Sequence, residues 1–167
     1  MMKIIAMLLM GTFVAILSGC EYKVQAPLPS STSRIAIPLF VNDTFKEDLA
    51  TVITEEVINQ FMLKTGMEIV EEGKSDYILK GTIIQYTTEP LIEITSDISE
   101  YRVRIEVLVT LFSRRDNETI WKEKISKYAT YSMLKTGSLQ TEEEAIKKVG
   151  QMIGAELVNL TLKGWRK

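Results

Sequence analysis

Covalent chemistry in a protein needs side chains that move protons, attack carbon or hold metals, and this 167-residue chain offers few of them. It has no histidine, which removes Ser-His-Asp and Cys-His triads, histidine-ligated zinc and the commonest general base near neutral pH. Two acidic pairs, Glu55-Glu56 and Glu71-Glu72, fall on a helical stretch and beside a turn. Neither has an evident partner or pocket, so solvated charge explains them better than acid–base catalysis. There is no Gly-rich phosphate loop and no cluster with metal-ligand spacing. No cofactor or metal is expected, and the chain reads as something other than an enzyme. The one thiol, Cys20, stands where an apolar run gives way to polar chain.

That position explains the cysteine. Met1, Met2 and Lys3 make a short positive start, and Ile4 to Leu17 is an apolar run of signal-peptide length, too short and wrongly flanked for an ordinary transmembrane helix. It ends in Leu17-Ser18-Gly19-Cys20, which resembles the lipobox of bacterial lipoproteins. The resemblance implies a diacylglycerol on the Cys20 sulfur, cleavage before it and acylation of the new amino group. At about 0.8 kcal/mol per buried methylene, two or three acyl chains anchor a protein where one would not. The competing reading is a buried apolar helix whose cysteine only packs. Glu21, where an aspartate would favour retention in the inner membrane, points to the outer one. Residues 1–19 are thus expected to be a signal peptide and 20–33 the lipidated cysteine with a flexible tether, Pro- and Ser-rich and poor in core-forming residues. Residues 34–167 form a single domain. Without Lys3 the net charge falls from −2 to about −3, so nucleic acid is an unfavourable partner. With Cys20 acylated, no thiol is left for disulfides, metal or attack on a substrate.

Arg34 to Val41 reads as a short buried strand in which Pro38, lacking a donor, marks an edge or an end. Thr44 and Glu47 have capping-box spacing ahead of a helical stripe of Leu49, Val52, Ile53, Val57, Phe61 and Met62, with Gly66 placed for a left-handed cap. Met67 to Val70 reads as a short extended piece or the start of the next strand, EEGKSD as a turn and Tyr77 to Thr88 as a strand. In Glu100 to Phe112, Tyr101, Val103, Ile105, Val107, Val109 and Leu111 share one face and Arg102, Arg104, Glu106 and Thr110 the other, with Leu108 and Phe112 suggesting an end covered on both sides. Arg114 to Glu118 turns the chain into a returning strand from Thr119 to about Tyr131. A second capping box, Thr141 to Glu144, opens a helix with Ile146, Val149, Ile153, Leu157 and Leu160 in a stripe. Gly150 and Gly154 are expected to let this helix sit close against a sheet, in preference to a membrane interface. The fold expected is α+β: two helices packed on one face of a four-stranded, mainly antiparallel sheet, in the order β-α-β-β-β-α.

The order LSGC, short tether, SRIAIPLFVNDTF, SDYILKGTIIQYTTEPL, EYRVRIEVLVTLF, ETIWKEK and TEEEAIKKVGQMIGAELV resembles the LPS-assembly lipoprotein LptE family over essentially the whole mature chain. The resemblance implies a non-enzymatic α/β domain that plugs the lumen of the outer-membrane barrel LptD, helps assemble it and assists lipopolysaccharide on its way to the outer leaflet. It therefore implies three partners: an LptD-like barrel, lipopolysaccharide, and the membrane through acyl chains on Cys20. The place implied is the periplasmic face of the outer membrane. The alternative is a lipoprotein activator or scaffold of a cell-envelope enzyme or secretion pore.

Lipid A phosphates favour Lys and Arg at hydrogen-bonding range. The resemblance places one lipopolysaccharide contact at Lys135, whereas the turn LIEITSDISE, where a second is expected, has neither Lys nor Arg. Arg114 and Arg115 in the following turn can substitute, with Arg102 and Arg104 as a further cationic patch. The competing reading for all five is solvated surface charge. Tyr86, Trp121, Tyr128 and Tyr131 are candidates for contact with the barrel wall, because Tyr and Trp are enriched at interfaces, against ordinary packing in strands.

Overall fold

The structure is a computed structural model that describes residues 33–95, 98–134, 137–138 and 141–164. In chain order the elements are β1 (Arg34–Ala36), β2 (Val41–Asn42), α1 (Leu49–Lys64), β3 (Glu68–Ile69), a 3₁₀ turn (Glu72–Lys74), β4 (Tyr77–Thr95), β5 (Ile98–Ser113), β6 (Glu118–Leu134), β7 (Gly137–Ser138) and α2 (Glu142–Gly164). The described strands form one seven-stranded sheet in the order β3-β1-β4-β5-β6-β7, with β2 also paired to β4.

The class is α+β, as expected, with more strands and more parallel pairing than the sequence suggested. The long strands β4, β5 and β6 are antiparallel neighbours, whereas β1 and β2 pair parallel to β4, and β3 parallel to β1. Pro38 accounts for part of the difference. The expected strand from Arg34 to Val41 is broken around it into β1 and β2, which meet β4 at Tyr77–Ile78 and Thr82–Ile83. The remainder comes from α1, which returns the chain to the starting end of the sheet, so β3 and β4 run in the direction of β1.

Alternation along β5 is as read: Val103, Ile105, Val107, Val109 and Leu111 are fully buried beneath the helices. They join Leu79 and Ile83 of β4 and the helix stripes Leu49, Ile53, Val57, Phe61 and Val149, Ile153, Leu157 in one core. Met62, expected in the first stripe, is exposed. On the opposite face the 3₁₀ turn folds over one corner, where Lys80 Nζ meets Glu72 at 2.9 Å and Ile78 is buried beside half-buried Phe112. That end of the sheet is covered on both sides. The rest of the face is open.

Both helix starts lie at the end of the sheet where β6 finishes, and α1 and α2 run parallel to each other. The α2 start is the capping box read from the sequence: Glu144 N–H donates to Thr141 Oγ1 and Thr141 N–H to Glu144 Oε2, each at 3.1 Å. The α1 start is different. Thr44 is drawn into a loop built on Asn42, which accepts from Thr44 N–H at 3.1 Å and Thr44 Oγ1 at 2.8 Å and donates Nδ2 to the Lys46 carbonyl at 2.8 Å. The helix begins after Asp48, a non-glycine residue at φ 57° with no side-chain cap. Gly66 is not a left-handed cap either, because α1 ends at extended Thr65, whose N–H donates to the Phe61 carbonyl at 2.9 Å. Gly150 and Gly154 give a close approach to α1, not to the sheet. A Cβ at Gly150 would lie 3.0 Å from Glu56 Cβ, and one at Gly154 3.1 Å from Val57 Cα.

Candidate functional site

The open sheet face gathers three of the expected residues. Arg102 and Arg104 are two apart on β5 and share that face, and the register places Tyr128 of β6 opposite Arg104. The Arg102 guanidinium lies 4.8 Å and that of Arg104 5.6 Å from the centre of the Tyr128 ring. A ring flanked by two cations holds both by its quadrupole, at roughly 0.5–1 kcal/mol each at an exposed site. Tyr128 is half exposed. Arg102 Nε and Thr87 Oγ1 on this face are buried atoms with no hydrogen-bond partner. Beside them Lys124 Nζ meets Glu106 Oε2 at 2.7 Å, and this hydrogen bond holds the Glu106 carboxyl below its ordinary range. The cluster sets two guanidiniums side by side on a polar sheet face, an arrangement suited to an anionic group.

Arg114 and Arg115 lie at the other end of β5. Arg114 Nη1 donates to the carbonyls of Glu72 at 2.7 Å and Ser75 at 3.2 Å, and its N–H to the Asp76 carbonyl at 2.9 Å, so it braces the 3₁₀ turn. Arg115 is exposed and adds to the field on Asp76. The hydrogen bond from Arg34, together with that field, keeps the Asp76 carboxyl below its usual range. Lys135 and Cys20 lie outside the described residues.

The aromatic candidates divide between the two faces. Tyr86 and Tyr131 are core residues, 6% and 5% exposed, so neither ring offers surface to a partner. Tyr131 stacks on Tyr101 with centroids 5.3 Å apart. Trp121, paired with Leu111 on the helix side, is half-buried with its Nε1 unpaired. Of these four, Tyr128 is the one that projects into solvent.

Sequence reasoning missed what holds Tyr86. Its hydroxyl donates to Glu142 of α2, whose other oxygen receives Lys46 Nζ at 2.8 Å, while Thr88 Oγ1 donates to the Tyr86 oxygen at 3.1 Å. Burial pushes both Tyr86 and Tyr131 up to about 12, helped by the nearby Glu142 carboxylate. Partial burial works to raise Glu142, but the bonds from Lys46 and Tyr86 outweigh it and hold the carboxyl below its ordinary value. The acidic first turn of α2 was the available signal, and it read only as a helix start.

A mixed sheet with two parallel helices on one face, and arginines beside an exposed tyrosine on the other, defines a small α+β domain. The match to the LptE family, described as lipopolysaccharide-assembly, covers residues 32–158, and the chain belongs to that family. No curated protein sequence matches it significantly. Among solved structures it is similar to a hypothetical protein from Chlamydia trachomatis, with 11% identity, 80% of this chain and 98% of that one covered, and a TM-score of 0.55. It is also similar to a protein from Xanthomonas campestris, with 13% identity, coverage of 83% and 90%, and a TM-score of 0.57. A third is the PelC dodecamer from Paraburkholderia phytofirmans, with 12% identity, coverage of 78% and 92%, and a TM-score of 0.53. At such identities these likenesses show the fold alone. Among the described residues no helix is long and apolar enough to cross a membrane.

Proposed function

We propose that this chain is a lipid-anchored subunit at the periplasmic face of the outer membrane that occupies the lumen of an LptD-like β-barrel. There it supports barrel assembly and assists lipopolysaccharide towards the outer leaflet, as a non-enzymatic part. The family match across residues 32–158 is the observation that carries the reading. In this reading residues 1–19 are removed, Cys20 bears the acyl chains and the domain from residue 34 is the plug. Large barrels have polar interiors, and a folded body with charged, hydrogen-bonding faces fills such a space. Tethering raises its concentration at the barrel mouth. Arg102 and Arg104, steadied by Tyr128, are the described residues best placed to meet lipopolysaccharide phosphates, with Arg115 and Lys135 as further cations. Of the four aromatic candidates, Tyr128 and, in part, half-buried Trp121 have surface to offer the barrel.

Depletion of the chain in its native cells, followed by detergent extraction of the outer membrane, tests this. The expected result is a fall in surface lipopolysaccharide and in correctly assembled barrel, together with copurification of barrel and tagged full-length chain. Unchanged surface lipopolysaccharide, with no barrel in the purified fraction, refutes it.

A further inference from the structure

At the end of the domain where both helices start, a cavity of about 410 Å³ is lined by Phe45, Lys46, Glu47, Asp48, Leu49, Val52, Glu143 and Ile146. Its floor is apolar. Phe45 stands on its rim 84% exposed, the largest exposure of any described hydrophobic side chain. The ring meets Tyr86 edge-on at 5.9 Å, and the loop carrying it is bound by Asn42 and Thr44. The Lys46–Glu142 pair at 2.8 Å then ties the loop to α2. A backbone already ordered before binding lowers the entropy cost of presenting this side chain to a partner.

The rim is negative. Lys46 is committed to Glu142, while Glu47, Asp48 and Glu143 form no ion pair among the described residues. Two helix N-termini supply about half a positive charge each, which offsets about one of these three carboxylates and leaves a net negative ring around an apolar floor. A lipid phosphate is repelled there. A polypeptide that presents an apolar side chain between lysines or arginines is attracted.

We infer that this cavity docks a basic, apolar-anchored peptide segment of the barrel partner, with Phe45 and the Leu49–Val52–Ile146 floor gripping the anchor while Glu47, Asp48 and Glu143 pair its flanking cations. The inference rests on the proposed function and names the chemistry of the partner's segment. The chain enters the domain at Arg34, beside Asp76 at the opposite end of the sheet from this cavity.

The test places a benzophenone amino acid at position 45 of the full-length, acylated chain and maps photocrosslinks in native outer membranes by mass spectrometry. A crosslink is expected to a barrel peptide with Lys or Arg within a few residues of the attachment point. Combining Glu47→Lys, Asp48→Asn and Glu143→Lys should lower its yield at least tenfold, while thermal unfolding and barrel copurification persist. Crosslinks only to lipid, to a second copy of this chain or to an acidic peptide, with the barrel still copurifying, overturn the inference and leave the proposed function standing. So does a yield indifferent to the charge changes. Absence of the barrel from the fraction overturns both.

Discussion

Removing the charge of Glu142 by Glu142→Gln, alone and with Tyr86→Phe, asks whether one cluster holds the helix starts to the sheet. Glu142 receives Tyr86 OH and Lys46 Nζ, the latter at 2.8 Å, with Thr88 Oγ1 sharing its one proton between the Tyr86 oxygen at 3.1 Å and Glu142 at 3.3 Å. A hydrogen bond to a charged group contributes roughly 1.5–3 kcal/mol. The Lys46 pair, about a third exposed, adds no more than about 1 kcal/mol after solvent screening, and a carboxylate in the first turn of a helix about 0.3–1 kcal/mol. An amide keeps an acceptor but loses the charge, so Glu142→Gln should cost about 2 kcal/mol and Tyr86→Phe about 1–2 kcal/mol. Glu142→Gln weakens and Tyr86→Phe removes the same bond, so the double variant should fall short of their sum by about 1 kcal/mol. Urea denaturation at pH 7 reads this if the slope stays constant among variants. The pH dependence gives a second reading. The Glu142 carboxyl is held below its ordinary value in the fold, so the unfolded chain takes up its proton first. Its stabilisation is complete above the ordinary carboxylate range and is lost as pH falls through the folded value. The Glu142→Gln variant should therefore lose less on acidification than the parent. Additive single and double effects, within about 0.5 kcal/mol, would refute the shared cluster.

Further outcomes follow from other contacts. Tyr86 and Tyr131 are pushed up to about 12 in the fold, so the stability they contribute is intact below their ordinary value and is lost as pH rises towards 12; an absorbance titration should show two tyrosines ionising late, alongside falling stability. A Cβ at Gly81 would lie 2.4 Å from the buried Phe40 ring, so Gly81→Ala should lose about 1–3 kcal/mol in denaturation. Gly73→Ala meets nothing within 4 Å and should be neutral or slightly stabilising. Arg102→Ala with Arg104→Ala should weaken binding of purified lipopolysaccharide at least tenfold, measured at low salt, with the fold retained; unchanged binding removes this cluster from the ligand path.

Sequence periodicity made the centre of the fold legible because β5 alternates without interruption, and its inward residues are the buried ones. The capping box at Thr141 and Glu144 was equally readable, since nothing nearby competes for those groups. The same spacing at Thr44 and Glu47 misled because Asn42, outside the motif, captures Thr44 first. β2 and β7 were hidden because two residues carry no period, whereas β3 falls within the extended piece Met67 to Val70; the parallel pairing of β2 and β3 depends on where α1 sets the chain down. At the site, i and i+2 spacing on a strand was enough to join Arg102 to Arg104. That Tyr128 lies opposite them, while Tyr86 and Tyr131 turn inward, depends on register: a one-residue shift exchanges the faces. The bulge between Ile83 and Gln85, which sets Tyr86 on the buried side, left no mark in the composition.

The native mass of the complex purified from outer membranes with the full-length chain tests the central claim most directly. The account predicts one copy of the chain, acylated on Cys20, bound to one large β-barrel. A ring of the chain alone, or an unmodified polypeptide with no barrel attached, would contradict it.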